Sequence, residues 1–92
     1  MHMITMRLVP LSAASSAPDQ PSEPFLAQCT SADRIEHIWA QNQSDRIDLV
    51  FFVISEHEAD ALLCARAVCE RALSSDRRLV AWRLADERPP AQ

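Results

Sequence analysis

The segment that decides the fold is residues 47–54, which read IDLVFFVI. Its last six residues are all apolar, and β-branched and aromatic types predominate among them. An apolar run of this length, too short for a buried helix, predicts a β-strand that is covered on both faces. We therefore expect this strand near the centre of a sheet, with the flanking elements packed around it.

The residues after this strand predict a helix and then another strand. Ser55 and Glu58 have the spacing of a capping box, and helical periodicity continues to about residue 74. Residues 78–85, with the sequence RLVAWRLA, alternate as a half-buried strand does. The small and apolar residues on one side of the predicted helix are Ala61, Leu62, Ala65, Val68, Cys69, Ala72 and Leu73.

The residues before the central strand begin with another alternating segment. Residues 3–9 predict a half-buried strand that ends at Pro10. Residues 10–24 are rich in Pro, Ser and Ala and have no periodicity, which predicts a mobile linker. The alternative is a segment that wraps the surface or reaches a partner. At the other end of the chain, the polar, Pro-rich tail 86–92 is predicted to be disordered.

A first helix is predicted at residues 32–41. Ile35, Ile38 and Trp39 follow one another at i, i+3, i+4 spacing, which is typical of an amphipathic helix. A capping residue precedes them, because Thr30 or the serine after it can accept a hydrogen bond from the first turn.

These elements predict one small domain, residues 1–92, of the α/β class (an α+β sandwich). A sheet of three to four strands carries two helices in the order β-α-β-α-β, which is similar to a ferredoxin-like fold. Phe51 and Val53 lie on one side of the central strand and Phe52 and Ile54 on the other, so if both helices cover one face, one of these two sides needs another cover. We expect a second copy of the chain to supply it, so that the protein is a homodimer. Helices on opposite faces would instead cover the strand within one chain.

Composition excludes several classes of function. All nine basic residues are Arg, against 13 acidic residues, and the net charge of −4 argues against nucleic-acid and membrane partners. Without Gly, Lys or Tyr, the chain has no glycine-rich phosphate loop, Schiff-base lysine or phenolic acid–base group. Any left-handed backbone position must fall on a residue with a Cβ atom. Frequent Ala and absent Lys indicate a high-GC bacterial genome, and three cysteines without paired spacing indicate reduced thiols in the cytoplasm.

The weak candidates for acid–base chemistry are His37 and His57. His57 lies in the acidic segment 56–60, but position 61, where a zinc helix would place a second histidine, is Ala61. Acidic residues at a helix N-terminus also match the helix dipole, so we expect no metal site. Cys64 and Cys69 are five residues apart and lie on different sides of the predicted helix, so they form no redox pair.

The aromatic residues could line a ligand pocket or simply fill the core. The candidates for such a pocket are Trp39, Phe51, Phe52 and Trp82.

Three functions remain compatible with these residues. The first is a small non-enzymatic protein-interaction or regulatory module that acts as a homodimer, for example an immunity- or antitoxin-like binder, with no cofactor. The alternative is a cofactor-free small enzyme or ligand-binding protein of the dimeric α/β-barrel type, with the aromatic pocket and one of the two histidines. A metal- or redox-sensing role for Cys29, Cys64 and the histidines is the third.

Overall fold

A computed structural model describes residues 1–12, 18–43 and 45–85. The predicted tail at 86–92 and residues 13–17 of the predicted linker lie outside this description. Within it, two helices and two short 3₁₀ turns accompany four strands. In chain order they are β1 (His2–Pro10), α1 (Glu23–Leu26), a 3₁₀ turn (Ser31–Asp33), β2 (Ile35–Asn42), β3 (Ile47–Val53), α2 (Glu58–Ser75), a 3₁₀ turn (Arg77–Leu79) and β4 (Trp82–Leu84).

The four strands form one antiparallel sheet in the order β2-β3-β1-β4. The α+β class is therefore confirmed. The strand at residues 47–54 lies inside the sheet as predicted, since β3 pairs with β1 on one side and with β2 on the other. Because β3 and β4 are both antiparallel to β1, they run parallel to each other, and α2 connects them across β1.

The helix predicted at residues 32–41 is wrong, and β2 takes its place. A β-bulge lies between Ile35 and His37, so that Ile35 is the register partner of Val53 and Ile38 that of Phe51. The extra residue puts two positions three apart on the same face of a strand, which imitates helical spacing. The predicted order β-α-β-α-β is accordingly wrong, and the observed order is β-α-β-β-α-β.

Helix α2 follows the prediction over most of its length but begins later. His57, with extended backbone angles, is its N-cap, so the capping box predicted from Ser55 is wrong. The Ser55 hydroxyl instead accepts a hydrogen bond from the His57 N–H at 3.3 Å. The predicted buried stripe is largely present, except that Leu62 is 45% exposed. Its fully buried members are Ala61, Ala65, Val68, Cys69 and Ala72.

The core lies between α2 and one face of the sheet. Alternate residues of β3 are fully buried there, namely Ile47, Leu49, Phe51 and Val53, while the residues between them are half-buried. The described residues thus cover β3 on one face only, not on both as predicted. The strand predicted at residues 78–85 is shorter than expected, because a 3₁₀ turn occupies its beginning and leaves Val80 exposed.

The segment before β2 contributes to this core. Phe25 in α1 is fully buried, and its ring meets that of Phe51 edge to face with centroids 6.3 Å apart. Pro18 and Pro24 are buried as well. That residues 10–24 serve as a linker stays a prediction.

Candidate functional site

One face of the sheet has no cover from the described residues. Cross-strand partners share a face, and three rows of partners alternate with the buried residues of β1 and β3. We call these nine residues the open face. Its rows are Met3–Phe52–His37, Thr5–Val50–Trp39 and Arg7–Asp48–Gln41.

The first two rows are mostly apolar and form what we call the apolar half. Met3 is 68% exposed and Trp39 is 46% exposed, while Val50 and Phe52 are half-buried. The His37 ring lies against Phe52 with centroids 5.8 Å apart. Exposed apolar side chains that adjoin one another are typical of a surface that binds another molecule.

The third row is polar and held by ion pairs. The Arg7 Nε lies 3.1 Å from Asp48 Oδ1, and the Arg46 Nε lies 3.2 Å from Asp48 Oδ2. Partly exposed pairs of this kind add little stability. They do make this end of the open face costly to dehydrate, because buried charges lose their hydration.

The four aromatic residues predicted for a ligand pocket lie on two sides of the sheet. Trp39 and Phe52 are on the open face. Phe51 is fully buried and Trp82 is only 7% exposed, and both belong to the core cluster on the helix side. The structure therefore brings together two of the four, with His37 beside them.

His57 lies apart from the open face, in a surface groove of about 490 Å³ at the start of α2. The groove is also lined by Arg34, Asp60 and Glu56. Arg34 has a left-handed backbone, φ 58°, and no other described residue has a positive φ. Across residues 1–12, 18–43 and 45–85, no group of three His, Cys, Asp or Glu side chains is placed to hold a metal ion.

Asp33 is the one charged residue that is buried in the described part of the chain. Its carboxylate accepts hydrogen bonds from the Thr30 N–H at 2.8 Å and from the Arg71 guanidinium of α2. Burial alone would raise the pKa of Asp33, but the hydrogen bonds from Thr30 and Arg71 outweigh burial and hold that pKa below its usual value. This ion pair ties the turn before β2 to α2, which is a structural role.

The thiols are arranged for packing. Burial raises the pKa of the Cys69 thiol to about 12, and burial also raises the pKa of Cys29. A protonated thiol is a poor nucleophile and a poor metal ligand. Cys29 instead donates to the Phe25 carbonyl oxygen at 3.4 Å.

Comparison with models of protein families, with curated proteins and with solved structures finds no match to this chain. Its function is therefore argued from geometry alone. None of the helices in the described residues is long and apolar enough to cross a bilayer.

The sequence carried a signal for the open face that the prediction did not use. Asp48 interrupts the apolar run of β3 at a position that shares a face with Val50 and Phe52. A carboxylate in a strand indicates that one of its faces is in contact with water. Met3 and the residues of the third row could not be assigned to the open face from the sequence, since their cross-strand partners depend on the register.

Proposed function

We propose that this chain is a small non-enzymatic protein-interaction module that acts as a homodimer in the bacterial cytoplasm, as immunity- or antitoxin-like binders do. The observation that carries the proposal is the open face, where Met3, Trp39, Val50 and Phe52 adjoin one another without cover from the described residues. In this proposal the apolar half is the surface that a partner protein binds.

A homodimer doubles the apolar area available to a partner. It is three strands wide and two rows deep, which corresponds to roughly 200 Å² of sheet surface. A stable interface takes about 800 Å² from each partner. One apolar half is therefore small for a binding surface of its own, and the two in a dimer supply roughly 400 Å², so a partner also contacts the polar surface around them.

We also infer a ferredoxin-like arrangement for the fold. Its support is the element order β-α-β-β-α-β together with the β3–α2–β4 connection that spans β1. The four-residue α1 then stands where such folds place a full helix, and Phe25 supplies its contact with the sheet.

One observation favours the ligand-binding alternative of the dimeric α/β-barrel type. His37 lies against Phe52 on the open face, so an imidazole is available beside an apolar surface. A dimer that encloses this pair would have the elements of a small pocket.

Native mass spectrometry of the untagged protein at low micromolar concentration tests the proposal. The expected result is a species of twice the 10.3 kDa chain mass with nothing added. A monomer at all accessible concentrations contradicts the proposed homodimer. A dimer that retains a small molecule of defined mass favours the ligand-binding alternative.

A further inference from the structure

The outer edge of β2 carries main-chain groups whose direction follows from the hairpin. The Gln43 N–H donates to the Arg46 carbonyl oxygen at 2.8 Å, which makes this pair hydrogen-bonded. In an antiparallel ladder, hydrogen-bonded positions alternate with positions whose N–H and C=O groups point away from the partner strand. The main-chain groups of His37, Trp39 and Gln41 therefore point toward β3. Those of Ile38, Ala40 and Asn42 point outward, away from the sheet.

The same alternation is seen at the start of β2 and between β1 and β4. The Ile54 N–H donates to the Arg34 carbonyl oxygen, which fits even-numbered residues of β3 pointing toward β2. The Ala85 N–H donates to the Arg7 carbonyl oxygen, which fits odd-numbered residues of β1 pointing toward β4. The ladder is thus consistent across the whole sheet.

β2 is a terminal strand of the sheet. Its outward N–H and C=O groups have no main-chain partner among the described residues. Natural edge strands are usually protected by Pro, Lys, short length or a bulge. Residues 37–42, HIWAQN, contain neither Pro nor a Lys or carboxylate, and the bulge lies before them. The opposite edge, β4, is only three residues long.

We infer that two copies of this chain pair along β2 in antiparallel orientation, centred on Ala40, to form one eight-stranded sheet. This inference rests on the proposed homodimer and specifies where its second copy binds. In this register Ile38 pairs with Asn42 of the second copy, Ala40 pairs with Ala40, and Asn42 pairs with Ile38. Their outward N–H and C=O groups then hydrogen-bond to one another. All six outward groups of each copy are then satisfied, which no register centred one residue away achieves.

The side chains in this register are compatible with one another. Trp39 lies opposite Gln41 of the second copy on the open face, and Ala40 lies opposite Ala40 on the helix side. No two charged residues of like sign meet, because residues 37–42 carry none with a permanent charge. The two-fold axis passes beside the smallest side chain of the strand, so the backbones can approach to hydrogen-bonding distance.

Edge pairing is also less costly than stacking two open faces. A second copy laid on the open face would dehydrate Asp48 and its partners Arg7 and Arg46. Pairing along β2 leaves that network in water. In this register the Trp39 row of one copy continues into the Gln41 row of the second copy, so the two apolar halves lie diagonally across the shared edge and meet only near Trp39.

The variant Ala40→Pro tests the inference, because it removes an outward N–H and no bond to β3. Proline is tolerated at such edge positions. The variant should fold and be monomeric, with the dissociation constant of the dimer raised by about tenfold or more. Ala40→Ser is the matched control, because it keeps the N–H at nearly the same size, and it should remain dimeric.

Amide hydrogen exchange on the wild-type protein gives a second measurement that does not depend on a variant. Protection of the Ile38, Ala40 and Asn42 amides should rise with protein concentration, while the Trp39 amide stays protected throughout. If Ala40→Pro is still dimeric and amide protection in the wild-type protein does not rise with concentration, the edge pairing is wrong, while the proposed homodimer is supported. A wild-type protein that is monomeric by native mass overturns both.

Discussion

Arg34 is held in a left-handed conformation, and replacing it with glycine should stabilise the fold. It follows the 3₁₀ turn Ser31–Asp33 with φ 58° and ψ 27°. Its carbonyl oxygen accepts the Ile54 N–H at 2.8 Å, so β3 holds its backbone in place. Its side chain is exposed and forms no ion pair with any described residue. The substitution Arg34→Gly therefore removes a strained Cβ and no ion pair.

The expected gain is small but measurable. A residue with a Cβ in this region costs about 1–2 kcal/mol, and the greater freedom of glycine in the unfolded chain takes back roughly 0.5–1 kcal/mol. The net stabilisation is about 0.5–1 kcal/mol, which for a domain of this size raises Tm by roughly 2–8 °C. Thermal unfolding followed by circular dichroism at pH 7 measures it.

Arg34→Ala is the control for this prediction. It removes the same guanidinium and keeps the Cβ, so it should leave Tm close to the wild-type value. If the glycine variant melts no higher than the alanine variant, the backbone at this position is not strained and the reasoning is wrong.

Three further predictions concern the core and the buried polar groups. Asp33→Asn should cost roughly 1.5–3 kcal/mol at pH 7, since it removes a charged partner from the ion pair to α2. Because the pKa of Asp33 is lowered in the folded state, its contribution is present above a pH of about 4 and is lost as pH falls through the folded pKa. Urea unfolding should therefore show a smaller difference between the two proteins at pH 3 than at pH 7, and an equal difference would contradict this assignment. Phe25→Ala should destabilise by about 3–5 kcal/mol in the same assay, whereas the half-exposed Leu26→Ala should change stability by about 1 kcal/mol or less; equal effects would show that α1 does not pack on the sheet. Iodoacetamide at pH 8 should leave Cys69 unmodified until urea unfolds the protein, while half-exposed Cys64 reacts first, because burial raises the pKa of Cys69 to about 12; early modification of Cys69 in the native protein would refute its burial.

The parts of the fold that could be predicted are those in which one periodicity acts alone. The alternation of residues 3–9 and the apolar run at 47–54 gave β1 and β3, and the small-residue stripe gave α2. In each case the pattern is local, since it repeats every two residues or every three to four. No long-range information was needed to recognise it.

The error at β2 shows where local pattern stops being sufficient. Ile35 and Ile38 lie on the same face only because a bulge adds one residue between them. Three-residue spacing has the same form whether a helix turn or a bulged strand produces it. What distinguishes them is the hairpin with β3, closed between Gln43 and Arg46, and that pairing is a tertiary fact.

The candidate surface was accessible from the sequence only in part. That one side of the central strand needs a cover could be argued from its apolar residues alone. The residues that surround that side could not be predicted, because rows such as Met3–Phe52–His37 join three strands by their register. Trp82 illustrates the same point, since the sequence left both a pocket shared with Trp39 and core packing open, and the sheet places the two residues on opposite faces.

The edge of β2 links the error in the fold to the proposed function. While residues 32–41 are taken as a helix, the free main-chain groups lie only at its two ends, and the surface left to explain is the uncovered side of β3. Once they are a terminal strand, the outward groups of Ile38, Ala40 and Asn42 need partners as well. Water can satisfy those groups, and a second copy paired along β2 satisfies all of them at once. The pairing therefore satisfies the polar groups at the edge, while the apolar half of each copy stays open for a partner protein.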